Sequence, residues 1–242
     1  MGVADPVLLS AVLVGVGLWV RLAVEESPEF VAAPRAGSMR LPIATVLRGH
    51  LPQVLCGIAL FGGITAVGYM AATFTIQYGT SGLGLSRTAL IAVVLAVSVL
   101  EIPLILAVSS ASDRFGHART IAFGAVATAV AAAAFLPLLA SASLLLIALA
   151  VAGARWLSAP MWGPSAALAA SCYPPEVRYS GASVGYQLGS IFGGALAPIL
   201  TTLLLASPAG LAGASAYLVV MVALSGAGAL GAQRLSRRAG AP

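Results

Sequence analysis

The sequence contains no lysine, only two cysteines and few charges of either sign. Charged residues make up 8% of its 242 positions, against roughly 25% in an average soluble domain, too few to build a water-facing surface. Cys56 and Cys172 each stand where an apolar run meets an arginine-bearing loop. They read as unpaired helix-end thiols and offer neither a disulfide framework nor a metal site. A Walker loop, a His-Glu-x-x-His pair and a serine elbow are all missing, which excludes ATP drive and the common hydrolytic chemistries and places the chain outside the enzymes. His50 and His117 fall in loops, where a histidine is more readily solvated or turned to lipid headgroups than catalytic.

What the chain does have is apolar: 60% hydrophobic residues, a mean hydropathy of +1.03, and 27 Gly with 14 Pro, both commoner in membrane helices than in soluble ones. A formal charge of +5 and a pI near 9.8 suggest nucleic acid at first sight. The arginines, however, lie in short clusters between apolar runs, with no interleaved aromatics to stack bases. That distribution orients a membrane protein and excludes a phosphate-binding patch.

A helix needs about 20 apolar residues to cross the hydrocarbon core. Seven stretches approach or exceed that length: residues 6–24, 51–78, 88–111, 120–140, 143–171, 180–206 and 211–232. The expectation is an all-α polytopic membrane protein with seven transmembrane helices. The first run lacks a basic n-region and a clean small-residue cleavage site, so it reads as a span and not as a signal peptide.

Assigning alternate loops to opposite sides puts Arg21, Arg35, Arg40, Arg48, Arg114, Arg119, Arg178 and the Arg234, Arg237 and Arg238 tail on one side. Arg87 stands alone on the other, and Arg155 lies inside a span. The positive-inside rule then sets the N-terminus outside and the C-terminus in the cytoplasm of a bacterial plasma membrane.

The hydrophilic segment 25–50, with Pro28, Pro34, Gly37 and Pro42, reads as a cytoplasmic linker. It joins a leading helix at 1–24 to a six-helix block at 51–232, and a cytoplasmic tail follows at 233–242. Six helices without an extramembrane domain match one half of a transporter built from two six-helix repeats. Spacing alone leaves a seven-helix receptor or a small channel open.

Three strings narrow the choice. Residues 178–198, RYSGASVGYQLGSIFGGALAP, resemble the penultimate helix of the metabolite:H+ symporter family of the major facilitator superfamily. Residues 112–119, SDRFGHAR, are similar to the second-half copy of the superfamily's Asp-Arg-x-Gly-Arg-Arg loop, and residues 21–30, RLAVEESPEF, to the segment that ends the family's sixth helix. Their order and spacing fit helices six to twelve of that fold, so the resemblance covers essentially the whole chain from about residue 8 onward and corresponds to a C-terminal half.

That resemblance implies a cytoplasmic gate loop of Asp113, Arg114, Gly116 and Arg178. Two departures reduce it. Ser171-Cys172-Tyr173-Pro174 stands where the family has an acid before a Phe-Pro turn, and His117 and Ala118 replace the basic pair after Gly116.

Two ionisable residues lie deep in spans, where each costs at least ~2.5 kcal/mol on insertion scales unless partnered. Glu101 is fourteen residues from Arg87 and Arg155 twelve from Ser143, which at 1.5 Å per residue puts both roughly 20 Å below the outer ends of their helices. Equal depth lets them pair. As a functional pair, Glu101 would be a proton-binding or gating carboxylate and Arg155 its partner or the ligand for an anionic substrate. As a structural pair, they would only tie two helices together.

Thr65, Tyr69, Thr73 and Gln77 recur every four residues along one face of the second span. The family likeness makes that helix cavity-lining, with Tyr69, Thr73 and Gln77 as substrate-facing groups, while packing against neighbouring helices is the alternative. In the sixth span Gly181, Gly185, Gly189 and Gly193 form a stripe suited to close helix approach, and Tyr186 and Gln187 beside it could reach the cavity that the resemblance implies. Pro103, Pro160, Pro164 and Pro198 mark kinked, cavity-lining helices.

The resemblance implies a secondary transporter that moves a small polar organic solute, a carboxylate or zwitterion, driven by the proton gradient without a cofactor. Its expected partners are the lipid bilayer, the solute and a missing or separately encoded N-terminal half, with no nucleic acid. The rival expectation is a transport-inactive membrane fragment or a half-transporter that needs a separate N-terminal half.

Overall fold

A computed structural model describes residues 14–19 and 42–238. The chain divides into two units, residues 1–40 and 41–242. In the first, residues 14–19 are helical with exposed side chains. The rest of the expected leading span, the linker up to residue 41 and the tail from 239 lie outside the described residues.

The second unit opens with a short helix, α1 (Pro42–Gly49), inside the segment expected as linker. Six helices follow that are long and apolar enough to cross a membrane: α2 (Leu51–Ser81), α3 (Arg87–Phe115), α4 (His117–Ala140), α5 (Leu144–Ser171), α6 (Arg178–Ala206) and α7 (Gly210–Arg238). No strand occurs among the described residues. This is a multi-pass all-α membrane protein, and its spans match the six apolar stretches from residue 51 onward to within a few residues. The links are short because each helix turns straight back across the bilayer. Between α3 and α4 the link is Gly116 alone, at φ +92°, a left-handed conformation that glycine adopts without a Cβ penalty.

Lipid tails are as apolar as the helix surfaces, so the hydrophobic effect does not press helices together here, and close packing through small residues must do so. The central element is α2, the most buried span, while α3 at the edge is the least. On one side α2 meets α6 backbone to backbone. A Cβ on Gly57 would stand 3.1 Å from the Cα of Gly185, one on Gly189 would stand 3.1 Å from the Gly62 nitrogen, and one on Gly193 would collide with the Gly62 carbonyl. On its other side α2 meets α7, where a Cβ on Gly228 would lie 2.7 Å from the Leu60 nitrogen. There Ser225 Oγ donates to the Leu60 carbonyl at 2.6 Å. The bundle continues from α7 to α4, from α4 to α5 and from α5 to α3.

Two spans contain a widened π turn. In α2 it covers Met70–Phe74, where the Thr75 hydroxyl also donates to the Met70 carbonyl at 3.1 Å. In α6 it covers Ser190–Ala195 and lies just ahead of Pro198. Proline supplies no N–H and its ring crowds the carbonyl four residues back, here that of Gly194, so the wider turn relieves a clash that a regular helix would keep.

Gly193→Ala forces a methyl group into the Gly62 carbonyl and should lower unfolding stability in detergent by about 1–3 kcal/mol, read as helical circular dichroism against added denaturant. Gly153→Ala, where the new Cβ would meet only Ala131 at 3.8 Å, should leave the same curve unchanged.

Candidate functional site

Where α2, α5 and α6 converge, they enclose one side of a cavity of about 680 Å³. From α2 it takes Thr65, Gly68, Tyr69, Ala72 and Thr73, which follow the i, i+3, i+4, i+7, i+8 spacing of one helix face. From α5 come Arg155 and Trp162, two turns apart, and from α6 come Tyr186, Gln187 and Ser190. Both π turns begin at this cavity: Tyr69 precedes the first, and Ser190 opens the second. Widened turns expose carbonyls and shift side-chain phase, which is why they recur at functional sites.

The aromatic walls are held by their neighbours. A Cβ on Gly194 would lie 2.9 Å from the Tyr69 ring, so the missing side chain at 194 makes room for that ring. Tyr186 stands edge-on to Phe61 with ring centroids 5.1 Å apart. Thr65 donates mainly to the Phe61 carbonyl at 2.7 Å, with the Gly189 carbonyl 3.4 Å away across the helix contact. Trp162 lies across from Gly68, where an added Cβ would be 4.0 Å from the indole.

Among the described residues, Arg155 carries the only charge that lines the cavity. Its guanidinium forms an ion pair through Nη2 with Oε2 of Glu101 on α3. The Glu101 side chain is 3% exposed and that of Arg155 24%, so the acid sits behind the base and only the base faces the cavity. Arg155 Nε has no partner among the described residues. Next to it, Trp156 Nε1 donates to the Val97 carbonyl at 3.2 Å, one turn before Glu101, and ties α5 to α3 at the same depth.

The structure thus gathers five of the expected site residues, Tyr69, Thr73, Arg155, Tyr186 and Gln187, around one cavity and places Glu101 directly behind it. Gln77 is not among the lining residues. It lies beyond the π turn, exposed near the end of α2, where its carbonyl accepts from Thr80 and Ser81. The extra residue in that turn breaks the phase that the four-residue spacing extrapolated. Trp162 and Ser190 were not singled out in the sequence, although Trp162 is seven residues beyond Arg155 and Ser190 four beyond Tyr186, spacings that place each on its neighbour's face.

The residues expected to form a gate loop fall at the same end of the bundle by the alternation of the spans. Asp113 and Arg114 are exposed on the last turn of α3, followed by Gly116. No ion pair joins Asp113 to Arg114 or to Arg178 among the described residues. Instead Arg178 Nε donates to the Tyr173 carbonyl at 3.4 Å, and Ser112 Oγ lies 3.1 Å from His117 Nδ1 across the turn. At this end burial pushes the Cys172 thiol up to about 11 and raises the Tyr173 hydroxyl as well. His50 packs edge-on against Tyr173 at 5.9 Å.

No family model and no solved structure matches the chain. It is 29% identical over 229 residues to the inner membrane metabolite transport protein YhjE of Escherichia coli, an alignment covering 91% of this chain and 51% of that protein. To the shikimate transporter of Escherichia coli it is 30% identical over 209 residues, covering 85% of this chain and 48% of the relative. The chain spans about half the length of the curated relatives it matches.

Two measurements test the site geometry. Removing one member of a buried ion pair leaves an uncompensated charge and typically costs about 3–5 kcal/mol, while replacing both is far milder. Arg155→Gln should therefore unfold in detergent at markedly lower denaturant than the parent, and the double variant Glu101→Gln/Arg155→Gln should recover most of the loss. With its thiol raised to about 11 and its side chain buried, Cys172 should resist maleimide at pH 7 in the folded chain and react promptly after denaturation.

Proposed function

The chain belongs to the metabolite transporters of the major facilitator superfamily, and from that premise we propose that it forms the C-terminal wall of a proton-coupled carrier for a small organic anion. The observation that carries this reading is Arg155, a cation that faces a cavity of about 680 Å³ while paired from behind with Glu101. Around it stand three aromatic rings and the hydroxyl or amide groups of Thr65, Thr73, Gln187 and Ser190. A carboxylate on the guanidinium, a ring against Tyr69, Trp162 or Tyr186, and hydroxyls on the polar side chains would use each of these groups. A hydroxylated ring carboxylate of the kind named in the shikimate transporter fits this inventory.

The same pair supplies a coupling step. Arg155 serves one carboxylate at a time with full strength, so a substrate anion that takes it over displaces Glu101. A proton on Glu101, which is itself buried, then restores charge balance. Anion and proton enter together, and release of the anion lets the pair close again. Tyr69 and Tyr186 open into unfilled space, which supports a facing wall from an N-terminal six-helix half, either preceding this chain or separately encoded. The arginine-rich end, with Arg114, Arg178 and Arg234, would face the cytosol.

Binding is measured first, because it needs only the purified chain. Trp162 lines the cavity, so quenching of tryptophan fluorescence by added shikimate or related ring carboxylates should saturate. Arg155→Gln should weaken that binding about 10- to 100-fold, the range for a hydrogen bond to a charged group. Unaltered binding in Arg155→Gln would sink the proposal. In proteoliposomes an inward proton gradient should drive uptake by the parent, and Glu101→Gln should make uptake insensitive to that gradient.

A further inference from the structure

We propose that the outer groove between α3 and α4 holds one anionic phospholipid of the surrounding bilayer, with Arg119 on its phosphate and the two phenylalanines along its acyl chain. Helices joined by a single residue would ordinarily lie against each other. Here α3 and α4 both pack on α5 and barely on one another, so a wedge is left between their outer faces at the Gly116 end. This groove, of about 520 Å³, is lined by Ala111 and Phe115 of α3 and by Arg119, Thr120 and Phe123 of α4.

Its walls are apolar and open: Phe115 is 69% exposed and Phe123 72%. Its one charge is Arg119, which pairs with no carboxylate among the described residues. The Thr120 hydroxyl is already committed to the Gly116 carbonyl at 3.1 Å, so recognition of a headgroup falls to the arginine. An apolar slot that ends in a guanidinium at the mouth of a membrane helix pair matches a molecule with an acyl chain and a phosphate at its head. A zwitterionic lipid brings its own cation to the phosphate, whereas an anionic lipid leaves it for Arg119. Arg114 and Arg178, carried on helix ends that the alternation of spans puts at this same end, add a positive potential over the distance of a Debye length.

The test uses the full chain in detergent, with phosphatidylglycerol or phosphatidylcholine added and retained lipid counted by native mass spectrometry. The parent should retain phosphatidylglycerol about fivefold over phosphatidylcholine, the factor that a single basic residue near an anionic surface supplies. Arg119→Gln should abolish that preference. Arg48→Gln, which removes an equal charge from an exposed position on α1, should keep it, and Phe115→Ala with Phe123→Ala should lower retention of both lipids.

Equal retention of the two lipids by the parent overturns the proposal, as does an equal effect of Arg48→Gln and Arg119→Gln, which would mean diffuse attraction. So does a change in the number of chains per particle on altering the phenylalanines, which would mean that a second copy fills the groove. Should Arg119→Gln fail to fold, a photoreactive phosphatidylglycerol must label residues 111–123 of the parent, and labelling confined to other segments overturns the assignment.

Discussion

The bundle depends on how closely the backbone of α2 can be approached from two sides. In lipid the gain from burying apolar surface is absent, and what remains is dispersion between surfaces in contact and a few hydrogen bonds between helices. Gly57 and Gly62 of α2 meet Gly185, Gly189 and Gly193 of α6 with no side chain between them, and on the opposite side Gly228 of α7 comes against Leu60 and Cys56. With α2 fixed on both sides, its remaining face, carrying Gly68, Tyr69, Ala72 and Thr73, turns toward α5 without the backbone-to-backbone approach of the other two contacts. That face becomes a wall of the cavity.

The cavity follows from where the tight contacts stop. Below it the glycines of α6 keep that helix on α2. Farther along, the π turn of α6 changes that helix's phase opposite Gly62 to Tyr69, where Gly194 yields space to the Tyr69 ring, and the π turn of α2 follows at Met70. The two spans separate there only as far as Thr201 and Met70, whose hydroxyl and sulfur are 3.6 Å apart. The third wall comes from α5, whose small residues Gly153 and Gly163 sit against α4 and α3 and leave the Arg155 and Trp162 face turned inward. Polar groups are therefore concentrated where helix packing is interrupted, as expected when lipid-facing and protein-facing surfaces must both stay apolar.

Much of this was legible in the sequence because bilayer thickness imposes a length and lipid imposes a composition. The six spans from residue 51 onward stand out as apolar runs bounded by Arg87, Ser143 or Arg178, and the depths of Glu101 and Arg155 could be counted from those bounds. The glycine stripe of α6 was visible through its four-residue repeat. Its partner surface on α2 was not, since Gly57 and Gly62 are five apart, and neither was Gly228 on α7. Gln77 shows the limit most clearly: a periodic pattern presumes an unbroken helix, and the π turn at Met70–Phe74 adds a residue that no local motif announces. Trp162 was hidden for another reason. In a chain this apolar a tryptophan carries no contrast, and only its register with Arg155 distinguishes it from a lipid-facing ring.

The position of the ion pair bears on how proton and substrate would be coupled through a single arginine. If α3 were held to α5 only by Glu101 and Arg155, taking Arg155 away would free a peripheral helix, and the energy of substrate binding would go into separating the two. Trp156 removes that difficulty. Its indole N–H bonds to the Val97 carbonyl one turn from the pair, and neither group changes charge when Glu101 gains a proton. The tight packing of Gly163 against Ser109 holds the same two helices farther along. In the proposed carrier Arg155 would then turn between the carboxylate behind it and one in front of it on a frame that stays in place, so that the free energy of exchange would go into the choice of partner instead of the disassembly of the bundle.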